Sequence, residues 1–410
     1  MREFNIPKQY RSSAIATLKY ARQKLDPKKR DLTPSVLDCG EISFKIARHF
    51  GFCFGVQNAI EKAYRAVEEN QGRRVFLISE MIHNRIVNED LKSKGVHFLS
   101  ELSPKIEDAL ELLKSDDVVI IPAFGATLEL LEKLKRRGIS SEFYDTTCPF
   151  VERVWRKVQT LGKSGFSVVI HGKHKHEEVQ ATFSHASKYA PSIVIKDQEE
   201  ARLLAEFITD ERPLSEFEAT FSGVVSEGFD ASSDLDKIGV VNQTTMLAEE
   251  THAICEIIKN ALLRRFDTTE IGDRFAETED TLCYATTENQ ESVKALLSDG
   301  GDLALVVGGY NSSNTSHLVE LLQWKIPTYY IESATEILNR DQIQHYVLSA
   351  KDVKVSSNWL PQKRKPVILL TAGASCPDVA VDDVLTRVAE CLELNIDFDA
   401  VVNTYIKGLQ

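Results

Sequence analysis

At three places in this chain a cysteine stands immediately before an amphipathic helical pattern, and each place opens a long stretch with the same order of elements. In "GFCFGV", Cys53 precedes apolar positions Val56, Ala59, Ile60, Ala63 and Val67. In "DTTCPF", Cys148 precedes Val151, Val154, Trp155 and Val158, with Pro149 suited to a first helical turn. In "TLCYATTENQ", Cys283 precedes Val293, Leu296 and Leu297, and Thr287-x-x-Gln290 reads as a capping box. The spacings are helical and the flanks carry helix-start chemistry. A thiol at a helix start is biased toward thiolate, the form that binds metal. Three thiols in matching frames therefore point to three ligands of one site.

Behind each cysteine helix comes a short β-rich run: Val75 to Ile78, Phe166 to Ile170 and Leu303 to Val307. Each run ends in a polar cluster, "HNR", "HGKHKHEE" or "GGYNSSN". A helix, a second strand and another helix follow. Then come the apolar runs "DVVIIPAFG", "KIGVVNQTT" and "PVILLTAGAS", and closing helices over Leu128 to Arg137, Leu247 to Leu263 and Asp378 to Leu394. Strands alternating with helices imply mostly parallel sheets flanked by helices, which bind ligands at the carboxyl ends of their strands. The expected fold is α/β: three pseudo-threefold-related modules around a central site. Their boundaries are 43–147, 148–282 and 283–410, after an N-terminal extension over 1–42.

A chain of 410 residues exceeds one ordinary core. Hydrophobic residues at 43% and charged residues at 27% describe a globular protein. A net charge of −12 argues against nucleic acid as a partner. No apolar run reaches the roughly 20 residues that cross a bilayer, so no membrane partner is expected. The N-terminus lacks the apolar core of a secretory signal, and Glu3 and Asp26 speak against a transit peptide, so the expected location is the cytoplasm rather than a plastid. The extension shows one helical pattern near Ser12 to Gln23. The acidic stretch near 209–236 and the stretch from Asn339 to Lys365 read as surface excursions.

The seven cysteines are too widely spaced for a secreted disulfide framework, and there is no CxxC pair. Any metal site must be assembled by the tertiary fold. Cys255 and Cys391 lie in helical apolar patterns and read as small buried hydrophobes. Cys39 and Cys376 are alternatives for a fourth ligand.

The motifs "GFCFGV", "HNRIV", "DTTCP", "HGKHKHEE", "NQTTM", "CYATTENQ", "NSSN" and "TAGAS" occur in an order that resembles the 4-hydroxy-3-methylbut-2-enyl diphosphate reductase family, also called the IspH or LytB family. The resemblance covers roughly residues 43–395, and the long lead-in resembles the family's cyanobacterial and plastid branch. It implies an enzyme that removes the hydroxyl of an allylic alcohol diphosphate after two electrons and protons are added, giving isopentenyl and dimethylallyl diphosphate. Hydroxide is a poor leaving group and needs a Lewis acid and a proton donor.

By resemblance, Cys53, Cys148 and Cys283 ligate one 4Fe–4S cluster and leave one iron open. Glu178 is the implied proton donor, and enclosure beside a diphosphate should raise its pKa. Its neighbour Glu177 should face solvent at the helix start. Thr244 is the implied hydroxyl near the substrate oxygen. The implied diphosphate contacts are His83, His176, Ser312, Ser313, Asn314 and Ser375, with helix N-termini contributing. Electrons would come from ferredoxin or flavodoxin. One departure stands out: Phe124 occupies a position where many family members have a further histidine, and Lys173 or His174 could supply the missing positive charge. Two other classes predict different outcomes. A zinc hydrolase would be colourless, and an iron–sulfur sensor would hold a cluster without turnover.

Overall fold

The computed structural model describes residues 4–103, 105–140, 144–276 and 281–409. Fourteen strands are found among them. A lead-in pair, β1 (Ser35–Asp38) and β2 (Ser43–Ile46), is followed by β3 (Val75–Leu77), β4 (Val96–Phe98) and β5 (Val118–Ile120). Next come β6 (Ser167–His171), β7 (Ser192–Ile195), β8 (Ile238–Asn242) and the short β9 (Phe275–Ala276). The last group is β10 (Leu303–Val307), β11 (Thr328–Ile331), β12 (Gln342–Val347), β13 (Asp352–Ser357) and β14 (Val367–Ala372).

These strands form three sheets, ordered β4-β3-β5, β7-β6-β8-β9 and β1-β2-β14-β10-β11-β12-β13. In each sheet the first strand of a stretch lies between the second and the third, and all these pairings are parallel. One local topology thus occurs three times. Strands β6, β8 and β10 are buried along their whole length, as expected where helices cover both faces of a parallel sheet.

The chain divides into two compact units. The first comprises Met1–Glu61, Ile82–Asp90 and Tyr284–Gln410, and contains the seven-stranded sheet. Strand β2 pairs in parallel with β14, with Ser43 opposite Val367, so the start of the chain completes the sheet of its last third. The core of this unit gathers Phe44, Ile46, Leu305, Val307, Leu370, Val381 and Leu385. The N-terminal extension joins it through a helix, Ser13–Leu25, whose N-cap Ser12 accepts from the Ile15 amide, and which buries Ile15 and Leu18. The second unit comprises Lys62–Met81 and Leu91–Cys283 and holds the other two sheets. Phe76, Val119 and Leu134 centre one of its cores, and Val240, Phe207 and Ile258 another.

Both stretches expected as surface excursions do more than that. Strands β12 and β13 form an antiparallel hairpin that extends the seven-stranded sheet. Residues 209–236 carry acidic surface, yet Phe217 and Phe221 are buried against Phe207 in the second unit. Aromatic rings at that spacing on a short helix present one apolar face, and burying it outweighs the polarity around it. The helices after the cysteines run over Phe54–Glu69, Pro149–Lys163 and Tyr284–Asp299. The last begins directly after Cys283, so Thr287 and Gln290 lie inside it and do not form the expected cap. None of the described helices is long and apolar enough to cross a membrane.

Candidate active site

A single backbone rule fixes all three cysteines. The Cys148 amide donates to the Ala123 carbonyl (3.0 Å), just beyond β5. The Cys283 amide donates to the Thr244 carbonyl (3.0 Å), just beyond β8, and the Cys53 amide to the Ala374 carbonyl (3.1 Å), just beyond β14. Each thiol therefore sits between the carboxyl end of a parallel strand and the start of a helix. Cys148 is itself the N-cap of its helix, with Pro149 in the first turn. All three are half-buried and outside any disulfide.

In the second unit Thr244 uses every polar group it has. Its carbonyl holds Cys283, its amide donates to Glu178 Oε1 (2.6 Å), and its hydroxyl donates to Glu178 Oε2 (3.0 Å). Thr244 and Glu178 are 5% and 3% exposed. Glu178 lies in the first turn of the helix Glu177–Ser187, and Glu177 beside it is half-exposed. The N-cap is His176, whose Nδ1 accepts from the Glu178 amide (3.2 Å). With Nδ1 accepting, the neutral ring carries its proton on Nε2, where it is a donor. Arg153, in the Cys148 helix, donates to the Leu282 carbonyl (2.9 Å), which ties the segments of Cys148 and Cys283 together. A further latch joins Thr281 to Asn242 at the end of β8.

The first unit carries Cys53, His83, Ser312, Ser313, Asn314 and Ser375. Ser312 caps the helix Ser313–Gln323, accepting from the Thr315 amide (3.2 Å), and that helix has no acidic residue in its first turn. Asn314 Oδ1 accepts from the Ala374 amide (2.9 Å) and from Asn289 Nδ2 (3.4 Å). This orients the side chain so that its Nδ2 faces away from both. Asn314 Nδ2 and Ser313 Oγ are buried with no hydrogen-bond partner among the described residues. Unsatisfied buried donors at a helix N-terminus are costly unless an anion meets them. Ser375 donates to the His83 carbonyl (3.1 Å). A Cβ at Gly309 would come within 2.6 Å of that same carbonyl, so glycine is needed for the close approach of these loops.

Several expectations change at this level. Burial pushes the Cys53 thiol up, outweighing the Val56 and Gly55 amides that favour thiolate. A helix start alone therefore does not activate it. Cys376 sits in the hydrophobic core of the first unit, and Cys39 is half-buried against it. Burial moves Cys39 up to about 11 and raises Cys376 as well, so both have the surroundings of packing residues. Cys255 and Cys391 pack at the edges of cores. Phe124 sets its ring edge-to-face against His176, with centroids 5.5 Å apart. It gives that imidazole a wall and no donor. His174 Nε2 is engaged by Glu200 (3.1 Å), and Lys173 on the same loop is exposed.

Sequence reasoning gives Asn289, which donates to Asn314 Oδ1, no place near the site. The signal that marks it is a polar triplet on one helix, Glu288-Asn289-Gln290, with two of its members buried.

A family model described as LytB protein matches residues 44–389. The chain is 38% identical over 352 residues to the 4-hydroxy-3-methylbut-2-enyl diphosphate reductase of Gloeothece citriformis, covering 85% of each. Against the protein of the same name from Trichodesmium erythraeum it is 36% identical over 354 residues, covering 86% of each. A solved structure titled (E)-4-hydroxy-3-methyl-but-2-enyl diphosphate reductase, the terminal enzyme of the non-mevalonate pathway, superposes with a TM-score of 0.51 at 27% identity, over 84% of this chain and 98% of that one. The corresponding reductase from Plasmodium falciparum, at 21% identity, has a TM-score of 0.59 over 88% and 90%, a likeness of fold.

Proposed function

The chain belongs to the LytB protein family, and on that premise we propose that it reductively removes the hydroxyl of (E)-4-hydroxy-3-methylbut-2-enyl diphosphate. The products are isopentenyl and dimethylallyl diphosphate, and the reaction closes the non-mevalonate route to isoprenoids. The observation that carries the reading is the Thr244 junction, which locks an enclosed carboxyl, a hydroxyl and a cysteine to one short loop.

Cys53, Cys148 and Cys283 would hold a 4Fe–4S cluster. Three half-buried thiols at helix starts, with the Val56 amide 3.5 Å from Cys53 Sγ, make a donor set that suits it. When bound, such a cluster supplies electrons and, through an iron with no protein ligand, Lewis acidity. The overall change takes two electrons and two protons and releases water. Within it the protein binds, orients and moves protons. Glu178 gives a proton to the departing hydroxyl, and the Thr244 hydroxyl accepts from the carboxyl while it is protonated and donates to it once it is ionised. Ser313 Oγ, Asn314 Nδ2 and the amides of that helix start take the diphosphate, with His83 and His176 Nε2 as further donors. Ser312 and Ser375 shape the loops that carry them. Lys173 supplies the cation that Phe124 does not. Reduced ferredoxin or flavodoxin delivers the electrons.

Anaerobic purification with iron and sulfide counts, followed by turnover of the allylic diphosphate with a reduced dye, tests the proposal. Brown protein and dye oxidation that depends on substrate are expected. A colourless zinc protein, or a cluster protein without turnover, would end it.

A further inference from the structure

We infer that Trp155 is a positioning residue that holds Cys148, the Phe124 loop and Glu178 in register within the second unit. The inference rests on the functional reading above. Trp155 lies two turns along the helix that Cys148 caps. Its indole N–H donates to Thr182 Oγ1 (3.1 Å), on the helix whose first turn carries Glu178. Its ring stacks on His185 of the same helix, with centroids 3.7 Å apart and planes 10° from parallel.

The third contact is with the loop after β5. Gly125 has φ +83°, and a Cβ there would lie 2.6 Å from the indole, so the backbone itself rests on the ring. This loop supplies the Ala123 carbonyl that anchors the Cys148 amide, and the Phe124 ring that walls His176. One side chain is thus the common wall of the cysteine helix, the acid helix and the loop between them. The half-buried indole touches no reacting group. Its influence is geometric: emptying its space frees the loop to shift, and misplacement of about an ångström can cost about 10²-fold in rate.

The test compares wild type with Trp155→Ala and Trp155→Phe, the latter keeping an aromatic ring while losing the N–H. In cluster-free protein, alkylation by iodoacetamide is followed residue by residue with mass spectrometry. Cys53, in the other unit, and Cys376, fully buried, report local and global loosening elsewhere. In reconstituted enzyme, kcat and KM are measured. Trp155→Ala should speed alkylation of Cys148 several-fold without moving Cys376, and should lower kcat by about 10- to 100-fold with KM within about twofold. Trp155→Phe should fall between that variant and wild type. Unchanged Cys148 reactivity, or Cys148 and Cys376 rising together in both variants, overturns the inference. A wild-type enzyme without turnover would defeat the functional reading instead, and the thiol reactivities would still decide the role of Trp155.

Discussion

Glu178 and Thr244 meet through two hydrogen bonds, with the Thr244 amide on one carboxyl oxygen (2.6 Å) and its hydroxyl on the other (3.0 Å). The amide bond fixes the carboxyl in place, and the hydroxyl can either give or take a proton. Glu178→Gln keeps the shape and the amide contact but removes the acid. It should lower kcat by about 10²- to 10⁴-fold with little change in KM. Thr244→Val keeps the amide and the carbonyl that holds Cys283, so its loss should be smaller and its iron content normal. Equal losses of iron in both variants would show a structural role instead.

The cysteines separate into two classes by surroundings, and substitution should separate them too. Alanine at Cys53, Cys148 or Cys283 is expected to abolish stoichiometric iron and sulfide binding after anaerobic reconstitution. Alanine at Cys255 or Cys391, which pack at core edges, should leave both unchanged. Iron retained at wild-type level after loss of Cys148 would remove that residue from the ligand set.

Much of this was readable from the residues. The repeated order of helix, strand and polar cluster foretold mostly parallel sheets in an α/β chain, because alternation of apolar periods is written in side chains. Polar residues in the sequence marked the strand ends beyond which Thr244, Asn314 and Ser375 stand. What the sequence hid are contacts made by backbone. The carbonyls of Ala123, Thr244 and Ala374 that fix the cysteines carry no residue signature. The misread cap at Thr287 has the same origin, since the Cys283 amide bond sets the helix start earlier. In the hairpin of β12 and β13, "QIQHYV" and "DVKVSS" alternate weakly and end in an exposed edge strand, so little burial marks them. Phe217 and Phe221 were masked by the acids around them.

Diphosphate binding should depend on Asn314 more than on Ser313. Both present a buried donor without a partner among the described residues, but Asn314 also receives the Ala374 amide on its Oδ1. Ser313→Ala removes one donor and should raise KM by about tenfold, from a loss of roughly 1–2 kcal/mol. Asn314→Asp keeps the acceptor for Ala374 and replaces the donor with a negative oxygen facing the anion. Its KM should rise further, and more steeply at low salt, where charge repulsion is less screened. A smaller effect than that of Ser313→Ala would place the diphosphate elsewhere.

Acid should weaken the first unit through His49. Its side chain is only 10% exposed, and its Nε2 has no partner among the described residues. Burial, then the nearby charges of Arg48 and Lys29, depress its pKa from 6.5 to about 4. The sign follows from proton uptake. Above pH 6.5 both folded and unfolded chains hold a neutral ring, so stability is at its full value. Between pH 6.5 and about 4 the unfolded chain binds the proton and the folded chain does not, so stability falls as pH falls, by about 3 kcal/mol in all. His185 and His345, also depressed by burial, act in the same direction. His49→Gln removes one titrating group and keeps the backbone amide bond to Ser292 (3.1 Å). Thermal unfolding of cluster-free protein at pH 7 and pH 4.5 should show a smaller drop in melting temperature for His49→Gln than for wild type. Parallel drops would mean that the ring does not stay neutral in the folded chain, and the acid sensitivity would then belong to other groups.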